Sequence, residues 1–162
     1  MSQPGIVADT AKALILARGG IIRTREAISL GIHPRTLYSL RDCGELEQLS
    51  RGFYQLKGRT PLEYPDLVTV ALRVPNGVLC LVSALSFHEM TTQIPHSVSV
   101  ALEKGTEQPG IEYPPVTVFR VSPSCFRVGI ETHQLDGVPV KIYSPEKTLV
   151  DCFKFRNRIG MD

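Results

Sequence analysis

No apolar run of about 18 or more residues occurs in the chain, so no membrane-spanning helix can be read from it. The opening stretch, MSQPGIVADTAKALIL, lacks a basic segment before its apolar residues and a small-residue cleavage site after them, which argues against a secretory signal. The expectation is a soluble, cytoplasmic protein with no membrane partner. Cysteine is sparse: Cys43, Cys80, Cys125 and Cys152 form no CxxC pair and mostly sit among apolar neighbours, so reduced core thiols are expected instead of a zinc site or disulfide framework.

The signatures of catalysis are missing as well. His88-Glu89 invites a metal reading, but a zincin helix needs its second histidine four residues after the first, where Thr92 stands, and the next histidine is His96. Ser83, Ser86 and Ser124 lack the Gly-x-Ser-x-Gly elbow, and no glycine-rich phosphate loop occurs. Metal-dependent nucleases cluster carboxylates around their ions, whereas Glu103, Glu107, Glu112, Glu131 and Asp136 are scattered through loops and strand ends. The chain is therefore read as a non-enzyme without cofactor or bound metal. A metal-dependent nuclease, targeted to its substrate by the N-terminal module described next, is the alternative.

What is present is enough apolar material for a core, 43% of 162 residues, and an uneven charge distribution. The formal net charge of +2 conceals opposite signs: residues 1–60 hold nine Lys/Arg against five Asp/Glu, and residues 61–162 hold nine against eleven. Only the first part is suited to a polyanion, and its excess is modest, so binding would need well-placed charge or more than one copy.

The order of elements in the first part is legible. Val7, Ala11, Leu14 and Ile15 share one face of a helix over 6–18 that Gly19-Gly20 stops. Ile21-Ile22-Arg23 forms an extended link, Thr24 is placed to cap a short helix from Arg25 to Leu30, and Gly31 suits its end. Pro34 fits the first position of a third helix that runs to about Cys43, with His33 placed to help cap it and Gly44 ending it. Leu46–Leu49 and Phe53–Leu56 then flank Ser50-Arg51-Gly52 as a hairpin. Helix, helix-turn-helix and hairpin, in that order from Ile6 to Lys57, make a winged helix-turn-helix.

On the third helix, Leu37 and Leu40 mark the buried side, and Arg35, Tyr38, Ser39 and Asp42 gather opposite, with Thr36 at the edge and Arg41 towards the buried side. The N-terminal half of a recognition helix meets base edges, so Arg35, Thr36 and Tyr38 are placed for readout of double-stranded DNA, with Ser39 behind them. Arg51 at the hairpin tip would enter the minor groove or meet a phosphate, and Arg23 and Arg25 would bind the backbone.

Lys57-Gly58-Arg59-Thr60-Pro61 has linker character, which divides the chain into domains 1–60 and 61–162. Beyond it the spacing predicts helices over Pro65–Val74, with Leu67, Ala71 and Val74 on one face, and over Ser83–Met90. Strands follow at Val98–Leu102, Val116–Val121, Ile130–Leu135 and Val138–Tyr143, the last two joined through Asp136-Gly137. Ser144 caps a final helix beginning at Pro145. The fold class is α+β, a winged helix-turn-helix followed by a mixed domain with mostly antiparallel strands.

The segments GGIIRTREAISLGIHPRTLYSLRDCGELEQLSRGFYQL, PDLVTVALRVPNGVLCLVSALSFHEMTTQIPHSVSVALEKG and DGVPVKIYSPEKTLVDCFKFRNRIGMD resemble the AbiEi-type antitoxins of type IV toxin–antitoxin systems, also described as transcriptional regulators in phage abortive infection. The resemblance implies a winged helix that represses its own operon by binding inverted repeats, with Arg35, Thr36, Tyr38, Ser39 and Arg51 at the DNA. It also implies a C-terminal domain that counters an AbiEii-type nucleotidyltransferase toxin without a stable complex, and further helix past Asp162. Without such a toxin the reading reduces to an orphan transcriptional regulator.

Overall fold

A computed structural model describes residues 4–58, 61–108 and 110–160, with side chains from residue 8 onward. The chain divides into two compact units, Met1–Leu62 and Glu63–Asp162. Arg59 and Thr60, within the expected linker, lie outside the described residues, as do the side chain of Val7 and the terminal Met161 and Asp162.

The first unit runs α1 (Pro4–Ala17), β1 (Ile21–Arg23), α2 (Thr24–Ser29), α3 (Pro34–Asp42), β2 (Leu46–Ser50) and β3 (Phe53–Leu56). Gly19 and Gly20, at φ +87° and +80°, end α1 and turn the chain into β1. β3 is the middle strand of an antiparallel sheet in the order β1-β3-β2. Ala11, Ile15, Ile22, Ala27, Ile32, Leu37, Leu40, Leu46 and Tyr54 form one core, so every element of the unit contributes to it. This is the winged-helix order, and β1, expected only as a link, supplies its third strand.

Thr24 does not serve as the cap of α2. Arg23 holds that position without a side-chain bond, and the Thr24 hydroxyl donates instead to the Gly52 carbonyl at 3.3 Å. The Thr24 N–H donates to the same carbonyl at 2.9 Å, so the hairpin tip captured a side chain that local sequence would have spent on the helix end. Gly31, at φ +81°, closes α2 in a Schellman arrangement, with the Ile32 N–H donating to the Ala27 carbonyl at 2.9 Å.

The second unit runs α4 (Pro65–Arg73), β4 (Val78–Leu79), α5 (Leu81–Phe87), β5 (Val98–Glu103), β6 (Val116–Val121), α6 (Pro123–Phe126), β7 (Ile130–Leu135), β8 (Val138–Tyr143), α7 (Pro145–Lys154) and α8 (Arg156–Ile159). Its sheet has the order β6-β5-β4-β8-β7. The β4–β5 and β7–β8 pairs are antiparallel, and β4–β8 and β5–β6 are parallel, so this sheet is mixed, while over the whole chain antiparallel ladders dominate. The two-residue strand β4 is central, yet it is too short for any period-2 signal.

In β8 the alternation is clear: Val138, Val140 and Ile142 are buried while Pro139 and Lys141 face out. Asp136 and Gly137, at φ +52° and +82°, turn β7 into β8 with the two left-handed residues that a type I′ hairpin needs. Val78, Leu81, Leu85, Ala101, Phe119, Tyr143 and Cys152 gather on one side of the sheet beneath α5 and α7, with Phe126, Phe155 and Ile159 packed against them. α4 packs against β8 and β5. Its expected face needs correction: Val68, Val70 and Val74 are buried, whereas Leu67 and Ala71 are only half-buried, Leu67 because it borders a cavity. α5 begins earlier than expected, and it also ends earlier, because Glu89 at φ +56° lets the Met90 N–H close back on the Leu85 carbonyl at 2.8 Å.

Candidate nucleic-acid interface

The third helix is held from two directions. Its N-terminus is capped by His33, whose Nδ1 accepts the Arg35 backbone N–H at 3.2 Å, with Pro34 in the first turn where no N–H is required. Its inner side is anchored by Leu37 and Leu40, at 0% and 3% exposure, in the common core. Burying those two leucines leaves the opposite side to solvent, and the polar residues there are Arg35, Tyr38 and Ser39, all exposed, with Thr36 half-buried. Asp42 is exposed at the C-terminal end.

The position expected for Arg41 is wrong. It is exposed, its Nε donates to the Asp42 carboxylate at 2.9 Å, and its guanidinium lies over the Tyr38 ring, 5.2 Å from the centroid. The hydrogen bond donated to Asp42 stabilises the charged guanidinium and raises its pKa further. The pair has two effects on the surface. It offsets the Asp42 charge that would oppose a phosphate, and it fixes the orientation of Tyr38 through the ring. Helical periodicity places Arg41 towards the buried side, and only the neighbouring partners decide where its long side chain lies.

Arg23, Arg25 and Arg51 form a second group, brought together by the tie between Thr24 and Gly52. Arg23 faces Phe53 in the β1–β3 register and its guanidinium sits 5.4 Å from the Phe53 ring centroid. Arg25 is exposed in the first turn of α2. Arg51 is exposed at the hairpin tip beside Gly52, whose φ of +81° allows the tight reversal. Lys12 and Arg18 are held in ion pairs, Lys12 with Asp9 and Glu45 at 3.2 Å each and Arg18 with Glu26. Exposed basic side chains of the first unit thus lie on α3, at the start of α2 and at the hairpin tip.

In the second unit His88, Glu131 and Asp136 have structural partners. His88 Nε2 lies 2.8 Å from the Tyr143 carbonyl, and His133 pairs with Glu131 at 3.1 Å. Asp136 accepts the backbone N–H groups of Glu63 and Tyr64 at 3.1 and 3.2 Å. Ser83 accepts the Ser99 N–H at 2.8 Å, which ties α5 to β5. Among the described residues no three His, Cys, Asp or Glu side chains converge as metal ligands, and no helix is long and apolar enough to cross a membrane.

Comparison with known proteins bears on both units. The chain has the fold of a solved structure, that of the RV2827C protein from Mycobacterium tuberculosis, with a TM-score of 0.62 and 16% identity over 91% of this chain. It spans 60% of the length of that structure. No curated protein matches the chain. Residues 9–57 match the model of a family described as "Transcriptional regulator, AbiEi antitoxin", a range that holds the Leu37 and Leu40 anchors, the exposed side of α3 and the hairpin tip. The match therefore lies within the N-terminal unit.

Proposed function

We propose that the protein is a sequence-specific DNA-binding antitoxin that represses its own operon through inverted repeats and counters a nucleotidyltransferase toxin. One observation carries the reading: within a segment of regulator type, the core anchors Leu37 and Leu40 leave Arg35, Tyr38 and Ser39 exposed along the helix that follows the turn. In this reading α3 enters the major groove with Arg35 and Thr36 at base edges, where an arginine grips guanine O6 and N7 bidentately. Tyr38, steadied by Arg41, meets phosphate or sugar, and Ser39 lies behind it. Arg51 reaches the minor groove or a phosphate, and Arg23 and Arg25 hold the backbone. The small excess of basic residues favours binding by more than one copy on repeated half-sites. The second unit is assigned the antitoxic role, exerted without a stable toxin complex.

Fluorescence anisotropy with the protein's own upstream DNA, over a series of salt concentrations, tests the DNA side. Arg35→Ala is expected to cost about 1–3 kcal/mol on the cognate sequence and to relax discrimination there. Arg51→Ala is expected to weaken binding to all sequences and to lower the salt slope by about 1. Unchanged affinity and salt slope in both variants would show that the DNA face lies elsewhere. Co-expression with the product of an adjacent nucleotidyltransferase gene tests the antitoxic side, and continued growth arrest in the presence of the protein would refute it.

A further inference from the structure

The second unit contains a cavity of about 410 Å³ between α4, α5 and the chain before β5 and β6, and none of the DNA-facing residues takes part in it. The volume is in the range that small organic ligands occupy. Its walls are mainly apolar: Tyr64, Leu67, Phe87 and Ile94, with prolines from three segments. The Tyr64 and Phe87 rings meet edge to face at 5.7 Å, forming a rigid aromatic corner. The Ser83 hydroxyl is engaged with the protein itself, accepting the Ser99 N–H at 2.8 Å and donating to the Ser97 carbonyl at 3.5 Å.

Two carboxylates, Glu63 and Asp66, line the cavity, and among the described residues no lysine or arginine does, His96 being the one described lining group able to carry positive charge. The Tyr64 hydroxyl senses this field: its pKa is raised by burial first, then by the Glu63 carboxylate, with Glu89 and Asp136 adding to it. Phosphates, nucleotides and carboxylic acids would meet repulsion there. A positively charged ligand gains from the carboxylates, and an aromatic face of Tyr64 or Phe87 turned towards it would add cation–π attraction.

We propose that this cavity is a binding site for a small lipophilic organic cation. The ligand's apolar body would fill the space between Leu67, Phe87 and Ile94, with its charge towards Tyr64, Glu63 and Asp66. The site is independent of the DNA-binding reading, and its test uses no DNA.

Isothermal titration at low salt with tetraphenylphosphonium, and with tetraphenylborate as a probe of the same shape and opposite charge, examines both shape and sign. Saturable one-to-one binding of the cation, at least tenfold tighter than the anion, is expected. Glu63→Gln with Asp66→Asn, both at exposed positions, should shrink that ratio to within about threefold. Ile94→Lys places a cation at the 81%-exposed rim and should weaken phosphonium binding tenfold or more without disturbing the core. Ser86→Trp, which fills the cavity, should abolish binding, with circular dichroism and the melting temperature confirming the fold. Equal binding of the two ions, no cation binding at millimolar concentration, or undiminished binding to the Ile94→Lys variant would overturn the assignment. So would capture of a basic proline-rich peptide by a protein that ignores the phosphonium ion.

Discussion

Lys147 and Asp151 lie one turn apart on α7, joined by a hydrogen-bonded ion pair of 2.6 Å with side-chain exposures of only 11% and 6%. Their order runs against the helix dipole, since the cation sits near the positive N-terminal end and the anion near the negative C-terminal end. The pair is therefore held by mutual compensation in a dry setting, aided by the Tyr143 ring 5.0 Å from the Lys147 ammonium. Removing one member of such a pair leaves a buried charge without a partner. Asp151→Leu is expected to destabilise the protein by about 3 kcal/mol, and Lys147→Met by a similar amount. Replacing both removes two desolvation penalties together with the attraction, so the double variant should lie within about 1 kcal/mol of the parent. A double-mutant cycle by urea unfolding would then show a coupling energy of about 5 kcal/mol or more. Additive losses, with the double variant down by about 6 kcal/mol, would refute the reasoning and mean that each side chain is retained for packing with other neighbours.

Leu37→Ala should cost about 3 kcal/mol, because it empties a fully buried site at the meeting of α1, α2 and α3; urea unfolding measures the cost, and a loss below 1 kcal/mol would mean the core collapses around the gap. Gly129→Ala should be more damaging than Gly137→Ala although both residues have positive φ, since a Cβ at 129 would lie 2.7 Å from the Lys147 Cβ and one at 137 meets nothing within 4 Å. About 2 kcal/mol or more is expected for the first and about 1 kcal/mol for the second, compared by thermal melts; equal losses would show that backbone conformation alone decides. Alkylation by iodoacetamide followed by peptide mass spectrometry should modify exposed Cys43 and half-buried Cys125 while sparing Cys80 and Cys152. Hydrogen bonds from Ser122 and Ser124 lower the Cys125 pKa, so its labelling should persist further below pH 9 than an ordinary thiol's, whereas burial raises the pKa of Cys80 and Cys152; uniform labelling of all four would contradict the packing.

What local sequence could determine is what neighbours along the chain decide. The Gly19-Gly20 stop, the Gly31 and Gly137 turns, Pro34 and Pro145 in first helical turns and the Ser144 cap, whose hydroxyl oxygen accepts the Lys147 N–H at 3.3 Å, were all readable because each is a local conformational requirement. The buried Leu37 and Leu40 and the exposed Arg35, Tyr38 and Ser39 followed from helical period alone, so the candidate interface was largely legible. Only the tertiary structure decided that Thr24 bonds the hairpin tip instead of its own helix, that Arg41 covers Tyr38, and that Lys147 and Asp151 share a dry site. It likewise decided the central place of the two-residue β4 and the parallel β5–β6 ladder. Strand order and partner choice depend on residues brought together from distant parts of the chain, and neither propensity nor periodicity carries that information. The cavity beside Tyr64 belongs to the same class: its walls come from four separate stretches between Glu63 and Pro115, and only the fold brings the carboxylates of the first stretch against the apolar walls of the others.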